Sequence, residues 1–170
     1  NKLEYQATHD QLTGLANRNL LYRHLEDALV HAKSHDHKFA VLFADLDGFK
    51  GINDSLGHYH GDQLLKAVTN RFLSISTDND IWCRFGGDEF VIIIRHFDHY
   101  KELTTICTKI LSLFDKSFEI KSDNYYMSAS IGISQYPKDG DSLNELLKKA
   151  DSAMYLAKEQ GKNRFKFHTA

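Results

Sequence analysis

Three observations predict an α/β (α+β) fold for this 170-residue chain. Helical and extended patterns alternate along it, one nearly continuous apolar strand lies early, and an antiparallel hairpin sits in the middle. From Asn17, an N-cap residue by type, Leu21, Leu25, Ala28, Leu29 and Ala32 recur at three and four residues, the stripe of a core-facing helix. That helix should end near His35-Asp36-His37. Phe39 to Leu46 reads as a strand buried on both faces and ending in acid. A polar, glycine-rich connection, Asp47 to Asp62, leads to a second helix carrying Leu65, Val68, Phe72 and Ile75. Ile81–Phe85 and Phe90–Ile94 are rich in aromatic and β-branched residues and form the hairpin, with its turn at Gly86-Gly87, where positive φ is expected. A third helix spans about Tyr100 to Phe114. Phe118–Ile120 and Tyr125–Tyr136 then read as a strand pair turning at Ser122-Asp123-Asn124, and Pro137 and Gly140 break the extended run. A last helix from Ser142 buries Leu143, Leu146, Leu147, Ala150, Ala153, Met154 and Ala157, and Arg164–Phe167 closes the sheet at an edge. Asn1 to His9 reads as the end of an incoming helix.

Composition narrows the classes of function. With 42% hydrophobic residues the chain buries a core as one domain. A net charge of −2, with both signs scattered, leaves no basic footprint for a nucleic-acid duplex and no polybasic membrane patch. Cys83 and Cys107 fall in a strand and a helix with no CxxC spacing, so they read as reduced core thiols in a cytoplasmic setting, without a disulfide. No apolar run reaches the roughly 20 residues that span a bilayer.

The chemistry concentrates on Gly86-Gly87-Asp88-Glu89. Two adjacent carboxylates at a hairpin tip either form a solvated acidic turn or hold a cation. Asp45 ends the buried strand, where α/β sheets place their ligands, and Asp47 lies two residues on, on the same face. Flanked by Phe43, Ala44 and Leu46, Asp45 needs a cation to offset desolvation, or else it caps the next turn. If its strand neighbours the hairpin, Asp45, Asp88 and Glu89 converge, and such an all-oxygen set suits Mg²⁺ before Zn²⁺. No phosphate-binding G-x-x-x-x-G-K-[ST] loop is present. Lys158 and Lys162 offer charge for phosphates, although lysines late in a helix also satisfy its negative end. Asp62 can accept the paired N–H donors of guanine and Asn53 can both donate and accept, while turn and cap chemistry accounts equally for each alone. Among ten histidines, His31, His35 and His37 and the His58-x-His60 pair invite zinc. No closed set of four N/S ligands emerges, so they read as surface residues.

Together these stretches resemble the GGDEF family of diguanylate cyclases over almost the whole chain, with residues 10–170 as one such domain. The resemblance runs from Asp10-Gln-Leu-Thr-Gly-Leu-Ala-Asn-Arg18, through Asp45-Leu-Asp-Gly-Phe-Lys-Gly-Ile-Asn-Asp54, the Gly-Gly-Asp-Glu tip and Ser130-Ile-Gly-Ile133, to Ala150-Asp151 and Ala153-Met154-Tyr155-x-Ala157-Lys158-x-x-Gly161-Lys162-Asn163. It implies a central mixed, largely antiparallel five-stranded sheet wrapped by helices, similar to nucleotidyl cyclase and polymerase palm cores. It implies a bacterial signalling enzyme that condenses two GTP into cyclic di-GMP and two pyrophosphates between two copies of the domain. By position, Asp45, Asp88 and the Leu46 carbonyl would hold Mg²⁺ (Mn²⁺ as the alternative), with Glu89 in the same acidic tip. Asp88 would be the base for the 3′-hydroxyl. Asn53 and Asp62 would meet guanine with His58 nearby, and Lys158 and Lys162 would meet phosphate. An upstream sensor domain and a downstream phosphodiesterase domain are the partners such domains keep. The alternative is a silent GTP-binding regulatory module. One departure is clear: where many members carry R-x-x-D, a site of product inhibition, this chain has Thr77-Asp78-Asn79-Asp80. Thr77 cannot form a bidentate charged clamp, so that brake is expected to be weak or absent.

Overall fold

The strand Lys38–Asp47 (β1) runs through the middle of the molecule, with every residue from Phe39 to Ala44 buried. In the computed structural model, which describes residues 1–169, α1 (Lys2–Thr8) and α2 (Arg18–His35) precede it. After it come α3 (Phe49–Leu56), α4 (His58–Ser74), β2 (Asp80–Arg84), β3 (Glu89–Phe97) and α5 (Tyr100–Ser112). The chain continues through β4 (Phe118–Ile120), β5 (Asp123–Tyr125), β6 (Ser128–Tyr136), α6 (Leu143–Glu159) and β7 (Arg164–Phe167). Five strands form one mixed sheet in the order β2-β3-β1-β6-β7, antiparallel except for the β6–β7 pair. This is the α+β architecture expected from the sequence.

Strand alternation divides the core into two layers. Phe39, Val41 and Phe43 point toward Leu21 and Leu25 of α2 and Leu146, Ala150 and Met154 of α6. Ala40, Leu42, Ala44 and Leu46 point the other way, onto Leu64, Val68 and Phe72 of α4 and Leu103 and Ile110 of α5. The helix signals hold where side chains cap. Asn17 accepts from the Leu20 N–H at 3.0 Å, Ser142 accepts from the Glu145 N–H at 3.2 Å, and Asp36 ends α2 in the left-handed region at φ 51°. Cys83 and Cys107 are buried and unpaired, and burial pushes the Cys83 thiol up to about 12. No helix among the described residues is long and apolar enough to cross a membrane.

Three expectations are corrected. The connection 47–62 is not a loop: it contains the helix α3 and the start of α4, hinged at Gly57 with φ 89°. The pair Phe118–Ile120 and Tyr125–Tyr136 does not form. Instead β4 pairs with β5 in a separate two-stranded sheet that turns at Lys121-Ser122, both at positive φ, while β6 joins the main sheet beside β1. Gly86 and Gly87 are not among the positive-φ residues. A Cβ at position 86 would lie 2.5 Å from Glu89 Oε1, so a larger residue there would displace the Glu89 carboxylate.

Candidate active site

The register of the central strands assembles the acidic cluster. Asp45 lies directly opposite Glu89 on β3 and opposite Ser130 on β6, and Asp47 lies opposite Ser128. The Leu46 N–H donates to the Asp88 carbonyl at 3.1 Å, docking the hairpin tip on the end of β1. Three carboxylates from two strands therefore share one end of the sheet. A close approach of α6 brings a lysine over them. At Gly132 a Cβ would lie 2.0 Å from the Ala150 carbonyl oxygen and 2.2 Å from the Met154 nitrogen, so only glycine lets α6 sit this close to β6. One turn beyond Met154, Lys158 Nζ lies 3.0 Å from Asp47 Oδ1 and 3.5 Å from Asp45 Oδ2.

Two aspartates on one strand face thus meet opposite fates. Asp47 is buried and fully served: Ser128 donates to it at 2.7 Å, Ser130 at 2.8 Å, Lys158 at 3.0 Å and the Asn163 N–H at 3.1 Å. Burial acts to raise its pKa, but these donors outweigh it and hold the carboxyl below its ordinary value. It is a structural anchor that ties β1, β6 and the end of α6 together. Asp45 is 17% exposed, and its Oδ1 is buried with no hydrogen-bond partner. Burial first, then the charge of Asp88, pushes its pKa up to about 7 against the pull of Lys158. Burial and the charges of Asp88 and Asp151 push Glu89 upward as well. Lys158 stands at Oδ2, but the orphan Oδ1 in a cluster of carboxylates offers a hard oxygen ligand that fits a divalent cation such as Mg²⁺.

The tip is braced from the N-terminal side by residues that sequence reasoning noted only as a motif. Arg84 donates to both Asp10 oxygens at 3.2 Å, to the Gly86 carbonyl at 3.1 Å and to the Gly87 carbonyl at 2.8 Å. Asp10 also accepts from the Thr13 N–H and hydroxyl, both at 2.8 Å. Arg18 donates to the Phe85 carbonyl at 3.1 Å and lies 3.9 Å above the Phe85 ring. The turn is held by fixed guanidinium forks. An arginine two residues before a glycine pair was the sequence signal for this clamp.

The α3–α4 corner leaves the same end of β1 through Gly48. Asn53 Nδ2 lies 3.5 Å from His58 Nδ1, and a Cβ on Gly61 would fall 2.0 Å from Asn53 Oδ1, so Gly61 makes room for the amide. Asp62 is exposed on the first turns of α4. Lys162 is exposed at φ 64° in the turn after α6, next to Asn163, whose N–H reaches Asp47. Asp80 accepts from the Thr77 N–H at 3.0 Å, the Thr77 hydroxyl at 3.1 Å and the Trp82 indole at 2.8 Å, so its carboxylate is engaged within its own turn.

Comparison with known proteins identifies the family. Residues 7–164 match the family described as diguanylate cyclase, GGDEF domain. The bifunctional diguanylate cyclase/cyclic di-GMP phosphodiesterase MucR of Pseudomonas aeruginosa is 44% identical over 161 residues, which cover 95% of this chain and 23% of that protein. The cyclic di-GMP phosphodiesterase NbdA of the same organism is 38% identical over 169 residues, covering 97% of this chain and 21% of that protein. The chain therefore spans about a fifth to a quarter of the length of these relatives. The solved GGDEF domain of TpbB (YfiN) from P. aeruginosa superposes with a TM-score of 0.91 at 34% identity, covering 95% of this chain and 94% of that one. On the family match, these relatives and the shared fold, the chain belongs to the GGDEF family.

Proposed function

We propose that this chain is an active diguanylate cyclase domain, in which two copies, each holding one GTP, meet to make cyclic di-GMP. The observation that carries the reading is the buried, unpartnered Oδ1 of Asp45 beside Asp88 and Glu89, two residues from an Asp47 whose every need is met. A domain that had lost its cation would gain stability by replacing Asp45 with a neutral residue. Asp45, Asp88 and the Leu46 carbonyl would hold Mg²⁺, or Mn²⁺ in its place, with Glu89 adjoining. When bound, the cation neutralises charge on the attacking and leaving oxygens.

The protein groups bind, orient and move a proton. Asp88 accepts the proton of the 3′-hydroxyl of one GTP as that oxygen bonds to the α-phosphorus of the other, and the bond from that phosphorus to the pyrophosphate oxygen breaks. The reciprocal attack closes the ring and releases the second pyrophosphate. Asp62 accepts from guanine N–H groups, and Asn53, beside His58 and in the space that Gly61 leaves, both donates and accepts there. Lys162 meets the phosphates. Lys158 meets the phosphates too and positions Asp45, whose Oδ2 lies 3.5 Å from its Nζ. Because each domain holds one nucleotide, a homodimer is required, and an attached sensor domain would control it. The substrate supply is cytoplasmic GTP. With Thr77 in place of arginine and Asp80 engaged in its own turn, product inhibition through that segment is weak or absent.

Purified chain with GTP and Mg²⁺ is expected to yield cyclic di-GMP, detected chromatographically. Asp88→Ala should abolish product while leaving the far-ultraviolet circular dichroism unchanged, and undiminished turnover in that variant would overturn the site. A second reading, a GTP-binding module regulating an attached phosphodiesterase, gains support from the name of NbdA. GTP binding with no product at any protein concentration would favour it.

A further inference from the structure

A cavity of about 680 Å³ lies nowhere near the acidic tip. It opens where the end of α2 meets the start of β1 and the end of β3, and histidines dominate it: His24, His31, His37 and His96, with Asp27 and Arg95. Register gives the separation. Lys38 pairs with Phe97 at this end of the sheet and Asp45 pairs with Glu89 at the other, seven residues of strand or roughly 23 Å away.

We propose that His31, His35 and His37 form a binding site for a borderline divalent transition cation, Zn²⁺, distinct from the carboxylate site. His31 and His35 are one helical turn apart on α2, and their rings stack with centroids 4.1 Å apart. Asp36, at φ 51°, reverses the chain so that His37 folds back onto the same point, its Nε2 2.8 Å from His31 Nδ1. One ring nitrogen from each of the three lies within 4.8 Å of the other two. Tetrahedral zinc with nitrogen at 2.0–2.1 Å requires nitrogens about 3.4 Å apart, so small rotations of rings that are exposed or half-exposed complete the geometry. The three lie at the surface, as the sequence suggests, and the left-handed residue between them makes them converge.

The hydrogen bonds prepare the ligand atoms. His35 Nδ1 lies 3.0 Å from the His31 carbonyl oxygen and must donate to it, which leaves the Nε2 lone pair free. The His31–His37 contact needs one donor and one acceptor, so the two rings cannot both be imidazolium. Three positive charges attracted to the negative end of α2 therefore do not explain the cluster. Imidazole nitrogen suits Zn²⁺, and it selects against the Mg²⁺ that the carboxylates would take. Three protein ligands leave a fourth position on the cavity side, where the His96 ring stands edge-on to His37 at 4.8 Å. A cation here would tie the end of α2 to the turn that leads into β1.

The test uses tag-free chain titrated with ZnCl₂ against a chromophoric chelator, and Co²⁺ as a spectroscopic substitute. The parent should bind one Zn²⁺ and give the visible bands of four-coordinate Co²⁺. Asp88→Asn should retain both signals. His31→Ala/His35→Ala should weaken Zn²⁺ binding by about 100-fold or more and abolish the cobalt bands, as should His37→Gln. These side chains are exposed or half-exposed, and circular dichroism checks that the variants fold. The proposal is overturned if the parent binds no Zn²⁺, or if binding survives the histidine changes and disappears in Asp88→Asn.

Discussion

Replacing Asp45 with asparagine should make the cation-free protein more stable while destroying the proposed activity. Its carboxyl titrates near 3.8 when unfolded and is pushed up to about 7 when folded, by burial and then by Asp88. Between those values the folded chain binds more protons than the unfolded one, so stability falls as pH rises and the loss is complete above about 7. Three units at 1.36 kcal/mol each set a ceiling of about 4 kcal/mol at pH 8, and about 1.7 kcal/mol of that is present at pH 5. Asparagine never ionises and so escapes this cost, but it also surrenders the 3.5 Å contact with Lys158. A net gain of about 1–3 kcal/mol remains, which for a chain of this size raises the melting temperature by roughly 3–10 °C. Scanning calorimetry in EDTA across pH 5 to 8 measures it. The gain should grow with pH, and Mg²⁺ should raise the melting temperature of the parent but not of Asp45→Asn. A variant no more stable than the parent at pH 8, or a gain that grows toward acid, would refute the reasoning.

Other perturbations separate positioning from chemistry. Arg84→Lys cannot serve Asp10 and the Gly86 and Gly87 carbonyls together, so turnover should fall by at least about tenfold with a stability loss near 1 kcal/mol, read from paired kinetics and urea unfolding. Lys158→Met strips the ammonium from Asp47 and Asp45. It should cost about 1–3 kcal/mol and abolish turnover, and a variant as stable as the parent would show the ion pairs to be incidental. Adding cyclic di-GMP to the reaction should leave initial rates unchanged, and tight inhibition lost on changing Asp80 would contradict the reading of Thr77.

Most of the frame was legible because its signals are local. Asn17 and Ser142 cap their helices with their own side chains, and the apolar run Phe39–Ala44 could only be a strand covered on both faces. The helix α3 escaped notice because Gly48, its N-cap, makes no side-chain cap bond and Gly51 interrupts its propensity. The β4–β5 turn was misplaced because Lys121 and Ser122 take the left-handed region without the glycine or asparagine that usually marks it. At the site, spacing put Asp45 and Asp47 on one face but could not tell them apart. Their difference comes from Ser128 and Ser130, more than 80 residues away and brought opposite by the β1–β6 register. The histidine cluster was hidden for a similar reason, since one left-handed residue at Asp36 decides whether three imidazoles diverge or meet.

The most direct test of the central claim is the initial rate of cyclic di-GMP formation from GTP and Mg²⁺ as a function of protein concentration. An active site completed by a second copy predicts a rate that rises more steeply than linearly and becomes proportional once dimer predominates. GTP bound at every concentration with no product formed at any of them would contradict it.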